Sequence, residues 1–164
     1  FVTHVAGSVF VLAYTSVFIG FAVLLNEQAN GPWKVLAAVL MTAAADTGAY
    51  FTGVFFGKHL MAPTLSPKKT WEGMAGAIAL NMVVGVVLFA TVLDGLWWQG
   101  ALVSIPMTLM ATAGDLIEST MKRDLGIKDM GDTIPGHGGV LDRLDSLLVN
   151  SVVAWFLFGL TLGS

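Results

Sequence analysis

Long apolar stretches recur along this chain, and they constrain its fold more than any other feature of the sequence. A helix that crosses a bilayer needs about 20 mainly apolar residues, and soluble cores rarely supply several such runs in so short a chain. Of the 164 residues, 55% are hydrophobic and 12% are charged. Because an open sheet would leave backbone groups unpaired in hydrocarbon, every span is predicted to be helical. We therefore expect an all-α, polytopic transmembrane bundle of about five helices in one domain, residues 1–164.

The predicted spans alternate with connections of very different charge. The spans are Val2–Leu25, Val35–Phe56, Gly73–Leu93, Ala101–Leu116 with a helical extension towards Lys122, and Leu144–Leu162. Pro106 is expected to kink the fourth span or to mark its true beginning. Seven of the eight Lys and Arg residues lie in the connections 57–72 and 122–143. Since cytoplasmic loops are enriched in these residues, both connections and Phe1 are predicted to face the cytoplasm. If the source is bacterial, the membrane is expected to be the inner membrane.

The start of the chain and its composition narrow the function further. Phe1 is not preceded by an initiator methionine, which predicts the C-terminal part of a longer membrane protein, so residues 1–164 alone are expected to be inactive. The net charge of −3 is too small to indicate a nucleic-acid partner. The chain has no cysteine, so disulfides and thiolate metal sites are excluded.

An acidic residue inside the second span is the first of four polar clusters. Asp46 lies in "AAADTGAYFTG". A charged side chain at that depth costs free energy unless it is paired or hydrated, so Asp46 indicates a functional site. Asp46 is also a candidate metal ligand, though a weaker one than the acids described below. The structural alternative is a hydrogen bond to a neighbouring helix, made through Thr47 or Tyr50.

The second cluster is "SPKKTWEG", which ends the first cationic connection. Ser66 and Pro67 favour a turn, and Thr70 is predicted to cap the next helix. Lys68 and Lys69, together with free amide groups of that helix N-terminus, would form a phosphate cradle, because both features favour anions. The alternative is a short basic loop that satisfies only the positive-inside bias.

The third cluster is "GDLIESTMKRD" at the end of the fourth span. Asp115, Glu118, Ser119 and Lys122 are spaced so that all four lie on one side of a helix. Two carboxylates one turn apart suit Mg²⁺, which prefers oxygen ligands. The alternative is an ion pair between Glu118 and Lys122, which leaves the deeper Asp115 without a partner.

The fourth cluster, "IPGHGGVLDRLDS", stands at the entry to the last span. The glycines that flank His137 let the backbone approach a ligand closely. Asp142 and Asp145 are one helical turn apart, and Arg143 points elsewhere, so the acids and the guanidinium can address different groups. Together the clusters predict acids for a metal and cations for phosphates at one membrane face. Phosphoryl or nucleotidyl transfer to a lipid uses those parts, because its catalysis is mainly positioning and charge neutralisation.

The segment from Ser119 to Ser146, "STMKRDLGIKDMGDTIPGHGGVLDRLDS", resembles the signature of the phosphatidate cytidylyltransferases, which make CDP-diacylglycerol. "DTGAYFTGVFFGKH" and "SPKKTWEG" are similar to upstream segments of that family. The resemblance covers roughly Asp46 to Asn150 and implies an integral membrane enzyme that joins CTP to phosphatidic acid. It also implies Mg²⁺ as cofactor, with K⁺ as a possible second ion, and a homodimer.

The resemblance also assigns roles to residues. Asp115 and Asp142 are the expected metal ligands, with Glu118, Asp145 and Asp46 as weaker candidates. Catalytic roles are expected for Asp115, Asp142, Lys69, Lys122 and Arg143. Substrate binding is expected from Ser66, Lys68, Lys69, Thr70, Ser119, Arg123, Lys128, His137, Gly138 and Gly139. His137 is expected to shape its loop or to contact phosphate, and not to act as a base.

Two other functions remain open from the sequence. A CTP-dependent kinase of polyprenols or other lipids would use the same charged groups but would transfer the γ-phosphoryl group. An ion-coupled transporter would explain Asp46, yet it would leave the His-Gly-Gly segment and the basic connections unexplained.

Overall fold

The computed structural model describes residues 2–63, 66–124 and 141–163. Within these ranges the backbone forms five helices and two short strands, which confirms the all-α bundle. The helices are α1 (Val2–Glu27), α2 (Gly31–Phe56), α3 (Trp71–Thr91), α4 (Trp97–Asp124) and α5 (Leu141–Leu162), and the strands are β1 (Leu60–Ala62) and β2 (Ser66–Thr70).

Three of the helices are long and apolar enough to cross a bilayer. They are Gly31–Phe56, Trp71–Thr91 and the part of α4 from Trp97 to Ile117. Shorter apolar helical segments span Thr15–Glu27 and Ser146–Leu162. Many large apolar side chains on these helices point outwards, as lipid-facing positions do. The protein is therefore integrated in a membrane.

The helix boundaries differ from the predicted ones mainly at the starts. The helices α2, α3, α4 and α5 begin two to four residues earlier than predicted, since polar and aromatic residues fill their first turns. Pro106 lies inside α4, which begins at Trp97, so the alternative that it marks the helix start is wrong.

The connection between α2 and α3 contains an antiparallel hairpin that the sequence did not predict. Leu60 pairs with Thr70, and Ala62 pairs with Ser66. The predicted turn at Ser66 and Pro67 is therefore wrong: both residues belong to β2, and the chain reverses between Ala62 and Ser66.

Close packing between α2 and α3 fixes how these two helices face each other. A Cβ atom added to Gly48 would lie 2.6 Å from the carbonyl oxygen of Gly76, and one added to Gly76 would overlap the side chain of Thr52. The two backbones thus approach within a distance that only glycine allows, as the glycine content predicted.

The apolar core lies at the end of the bundle away from the hairpin. It includes Met41, Phe89, Met107 and Phe158, and the rings of Phe89 and Phe158 meet edge to face at 5.5 Å. At this end the buried ammonium of Lys34 donates to Gln28 Oε1 at 3.0 Å and to the carbonyl oxygen of Gly163 at 2.8 Å. These bonds connect the start of α2 to the C-terminal end of α5. The polar cavity described below lies at the opposite end of the bundle.

Candidate functional site

A cavity of about 180 Å³ opens among α2, α3, α4 and the hairpin. Its apolar lining consists of alanine and glycine residues of the three helices together with Met61 and Met74, and its polar groups come from separate elements. The polar side chains that line it are Asp46, Tyr50, Lys68, Lys69, Thr70, Thr112 and Asp115. Two acidic and two basic side chains therefore converge on a space enclosed largely by apolar walls.

An ion pair between Lys69 and Asp115 crosses this cavity. The Nζ atom of Lys69 lies 2.5 Å from Asp115 Oδ2, and it also donates to the carbonyl oxygen of Thr112 at 3.4 Å. Lys69 comes from β2 and Asp115 from α4, 46 residues later in the chain. The sequence alone suggested no partner for Asp115, and it assigned Lys69 to phosphate binding. In the structure these two residues pair with each other.

Asp46 links the cavity to α5. It lies ten residues before the end of α2, about 15 Å along the helix axis. Its Oδ2 accepts a hydrogen bond from Ser146 Oγ at 3.4 Å. The expected contact with a neighbouring helix therefore exists, but through Ser146; the hydroxyl of Thr47 donates instead to the carbonyl oxygen of Ala43.

The register of α5 places the last predicted acids near this contact. Asp142 precedes Ser146 by four residues within the helix, which is one turn on the same face. Asp145 adjoins Ser146. The side chains of Asp142 and Asp145 lie outside the described part of the structure.

The N-terminus of α3 is capped as the sequence predicts. Thr70 Oγ1 accepts a hydrogen bond from the amide of Gly73 at 3.1 Å, and the amide of Trp71 donates to the carbonyl oxygen of His59 at 3.0 Å. Two of the amide groups that the sequence offered to phosphate are therefore already used within the protein, and the lysines of β2 become the main cationic groups of the cavity.

The residues around the cavity fit a magnesium ion held jointly with substrate. Among the described residues there is no group of three or more His, Asp or Glu side chains that could enclose a metal. Mg²⁺ is usually bound by one or two carboxylates, several waters and substrate phosphates. Asp46 and Asp115 line one cavity and carry carboxylate oxygens of the kind that such an ion uses, and the ammonium groups of Lys68 and Lys69 are of the kind that binds substrate phosphates.

The structure brings together some of the predicted site residues and not others. Asp46, Lys68, Lys69, Thr70 and Asp115 line the cavity, whereas Ser66, Ser119 and Arg123 are described but are not among its lining residues. The positions of Glu118 and Lys122 on α4 and of Arg143 on α5 are helical as expected, with side chains outside the described ones. Lys128, His137, Gly138 and Gly139 lie outside the described residues.

Sequence reasoning missed several residues of this region. Thr112 lies three residues before Asp115, one turn along the same face of α4, so extending the acidic face would have found it. Tyr50, considered only as a partner for Asp46, lines the cavity one turn from that residue. Glu72 and His59 contact each other at the base of the hairpin, and no local pattern signals a pair 13 residues apart across an unrecognised hairpin.

Known proteins are similar to this chain over nearly its whole length. Residues 2–161 match the family model described as the cytidylyltransferase family. A phosphatidate cytidylyltransferase of Mycobacterium leprae is 46% identical over 156 residues, which are 94% of this chain and 50% of the relative. One of Mycobacterium bovis is 41% identical over 160 residues, 98% of this chain and 52% of the relative.

More distant relatives match as well. A phosphatidate cytidylyltransferase of Staphylococcus saprophyticus is 39% identical over 131 residues, 79% of this chain and 50% of the relative. The chain spans about half the length of the curated relatives it matches. Since the family model covers nearly the whole chain, this membrane protein belongs to the cytidylyltransferase family.

Proposed function

We propose that this chain carries the catalytic region of an integral membrane nucleotidyltransferase that makes CDP-diacylglycerol and pyrophosphate from CTP and phosphatidic acid. The observation that carries the proposal is the cavity in which Lys69 of the hairpin meets Asp115 of α4. It offers a carboxylate for a metal and cations for phosphates within a membrane bundle. The relatives that bear the name phosphatidate cytidylyltransferase supply the substrate pair.

In the proposed reaction a phosphate oxygen of phosphatidic acid attacks the α-phosphorus of CTP. The bond between that phosphorus and the oxygen bridging to the β-phosphate breaks, and pyrophosphate leaves. The attacking oxygen is already anionic at neutral pH, so the protein needs no strong general base. Its work is to orient two polyanions in line and to offset their charge, as in other phosphoryl transfers.

The residues divide this work by charge. Lys68 and Lys69 bind phosphates from the hairpin side of the cavity, and Lys122, Arg123, Lys128 and Arg143 offset the remaining charge. Asp115 and Asp142 would hold the metal, and Asp46 lies close to α5 through its hydrogen bond from Ser146. Mg²⁺, when bound, neutralises the phosphates and the leaving pyrophosphate, and K⁺ is the proposed second ion. Substrate binding is also proposed for His137, Gly138 and Gly139, from the family resemblance alone.

We propose that the cavity faces the cytoplasm, in the inner membrane of a bacterial cell. The support is the distribution of charge: seven of the eight Lys and Arg residues lie in the sequence segments 57–72 and 122–143, and Lys68 and Lys69 of the first segment line the cavity. CTP is a cytoplasmic nucleotide, so this orientation gives it access to the cavity. A homodimer is proposed from the family resemblance alone.

The position of the label transferred from CTP tests the reaction. Membranes containing the protein at its natural length are incubated with phosphatidic acid and CTP labelled at either the α- or the γ-phosphate. We expect lipid to acquire the α label only, with the γ label released in pyrophosphate. Transfer of the γ label to lipid would instead identify a CTP-dependent lipid kinase. Ion flux that requires no nucleotide, without labelled lipid, would identify a transporter.

A matched pair of variants tests the assignment of the metal ligands. Asp142→Asn should lower incorporation of the α label by about 100-fold or more, as loss of transition-state charge stabilisation does. Asp94→Asn makes the same chemical change in the α3–α4 connection, at an exposed residue with φ of 51° that asparagine also tolerates. It should leave incorporation unchanged. Equal activity in Asp142→Asn and the wild type would remove Asp142 from the mechanism.

A further inference from the structure

Glu72 joins the two ends of the connection that carries the hairpin. It lies in the first turn of α3, and both of its carboxylate oxygens are engaged. Oε1 lies 2.6 Å from Nδ1 of His59, and Oε2 accepts from the main-chain amides of Lys58 and His59, each at 3.2 Å. One side chain therefore binds the segment that leaves α2 to the helix that follows the hairpin.

This contact extends the hairpin beyond its strand pairing. Leu60 pairs with Thr70, and the amide of Trp71 donates to the carbonyl oxygen of His59 at 3.0 Å. The bonds to Glu72 then follow one residue further along each chain segment. The negative charge of Glu72 also lies at a helix N-terminus, where the helix dipole stabilises it. The Leu60–Thr70 pairing, the Trp71–His59 hydrogen bond and the three contacts of Glu72 thus close the base of the hairpin in a continuous series.

The hairpin needs such a closure because it is small. An isolated two-stranded hairpin is at best marginally stable in water, and β1 has only three residues. Yet β2 supplies Lys68 and Lys69 to the cavity, and Lys69 must reach Asp115 on a different element. Any slip at the hairpin base would move both ammonium groups relative to α4.

We propose that Glu72 and His59 form a clamp that positions Lys68 and Lys69 for the triphosphate of CTP. The clamp acts through the hairpin, so both are positioning residues and neither touches substrate. The carboxylate of Glu72 contacts an imidazole and two main-chain amides. Unlike Asp115 and Asp46, Glu72 is therefore not proposed as a metal ligand. This inference deepens the proposed function and rests on it for its substrate.

Steady-state kinetics of the natural-length enzyme in detergent test the clamp. Glu72→Ala should raise the KM for CTP by about tenfold or more, because small displacements of positioning groups are costly. The KM for phosphatidic acid should stay as in the wild type. Glu72→Gln keeps an acceptor oxygen for the amides and should recover part of the CTP affinity, and His59→Ala should give an intermediate defect. Lys58→Ala is the matched control, because it retains the main-chain amide and should change the KM for CTP by no more than about twofold.

Hydrogen–deuterium exchange gives a readout that does not depend on activity. The amides of residues 60–62 should exchange faster in Glu72→Ala and His59→Ala than in the wild type, and at the wild-type rate in Lys58→Ala. Unchanged exchange in both clamp variants would overturn the clamp itself, even if the enzyme used another substrate. Faster exchange with an unchanged KM for CTP would overturn its positioning role. A wild-type protein that transfers no label from CTP would instead refute the proposed function and leave the exchange result to decide the clamp.

Discussion

Replacing Lys69 by methionine should strengthen the binding of Mg²⁺ in the absence of nucleotide. Lys69 Nζ lies 2.5 Å from Oδ2 of Asp115, the carboxylate that would hold the proposed metal. A metal ion and the ammonium group cannot both occupy this position. When CTP is present, its phosphates offer Lys69 a new partner, so the metal meets less competition. Methionine has a similar length and no charge, and it removes the competitor.

The size of this effect follows from the geometry of the pair. The side chains of Lys69 and Asp115 are 23% and 28% exposed, so solvent screens the pair only in part. A hydrogen bond to a charged group contributes about 1.5–3 kcal/mol. Since about 1.4 kcal/mol is a factor of ten, removing the competitor should lower the Kd for Mg²⁺ by about 10- to 100-fold.

Isothermal titration calorimetry of the natural-length protein in detergent measures this change directly. Lys68→Met is the matched control: Lys68 is exposed and lines the same cavity from the adjacent position, so its loss should change the Kd for Mg²⁺ by no more than about threefold. Added Mg²⁺ should also raise the melting temperature of Lys69→Met more than that of the wild type. A wild-type Kd in Lys69→Met would refute the competition between the ammonium group and the metal.

Five further substitutions test the packing and the polar contacts of the bundle. Gly48→Ala should lower the free energy of unfolding in detergent by about 1–3 kcal/mol, because its Cβ would lie 2.6 Å from a carbonyl oxygen of α3. Gly20→Ala, with nothing within 4 Å, should leave that free energy unchanged or raise it by up to about 1 kcal/mol. Lys34→Met should lower the melting temperature through the loss of two hydrogen bonds but leave the KM for CTP unchanged, and a raised KM would contradict its separation from the site. Asp46→Asn should reduce lipid labelling by about tenfold or more, whereas Ser146→Ala should have a small effect; equal losses would show that their hydrogen bond, and not the carboxylate charge, matters.

Much of the bundle could be predicted from the sequence because local features, namely apolar runs and capping residues, specify its helices. The apolar runs predicted five helices, and the residue type and position of Thr70 predicted its capping bond to Gly73. The hairpin escaped prediction since β1 has only three residues and shows no alternation of apolar and polar side chains. Ser66 and Pro67 suggested a turn, but pairing with β1 draws them into a strand.

For the candidate site, the sequence predicted the residues but not the contact between them. Asp46, Lys68, Lys69 and Asp115 were found from their residue types, because charges are costly next to apolar runs and so mark functional positions. That Lys69 bonds to Asp115 was not predicted, since each had been assigned to a different ligand. The contact depends on the path of β2 past α4, which no local pattern specifies.

The sequence by itself determined the class of environment and the inventory of charges. Apolar runs of sufficient length require helices in a bilayer, and the chain places most of its acids and cations near or beyond the ends of these runs. Only the tertiary structure decided which of these groups meet. Helix rotation and register are fixed by long-range packing, as where Gly48 of α2 lies against Gly76 of α3. This packing brings Asp46 to Ser146 across 100 residues and Lys69 to Asp115 across 46.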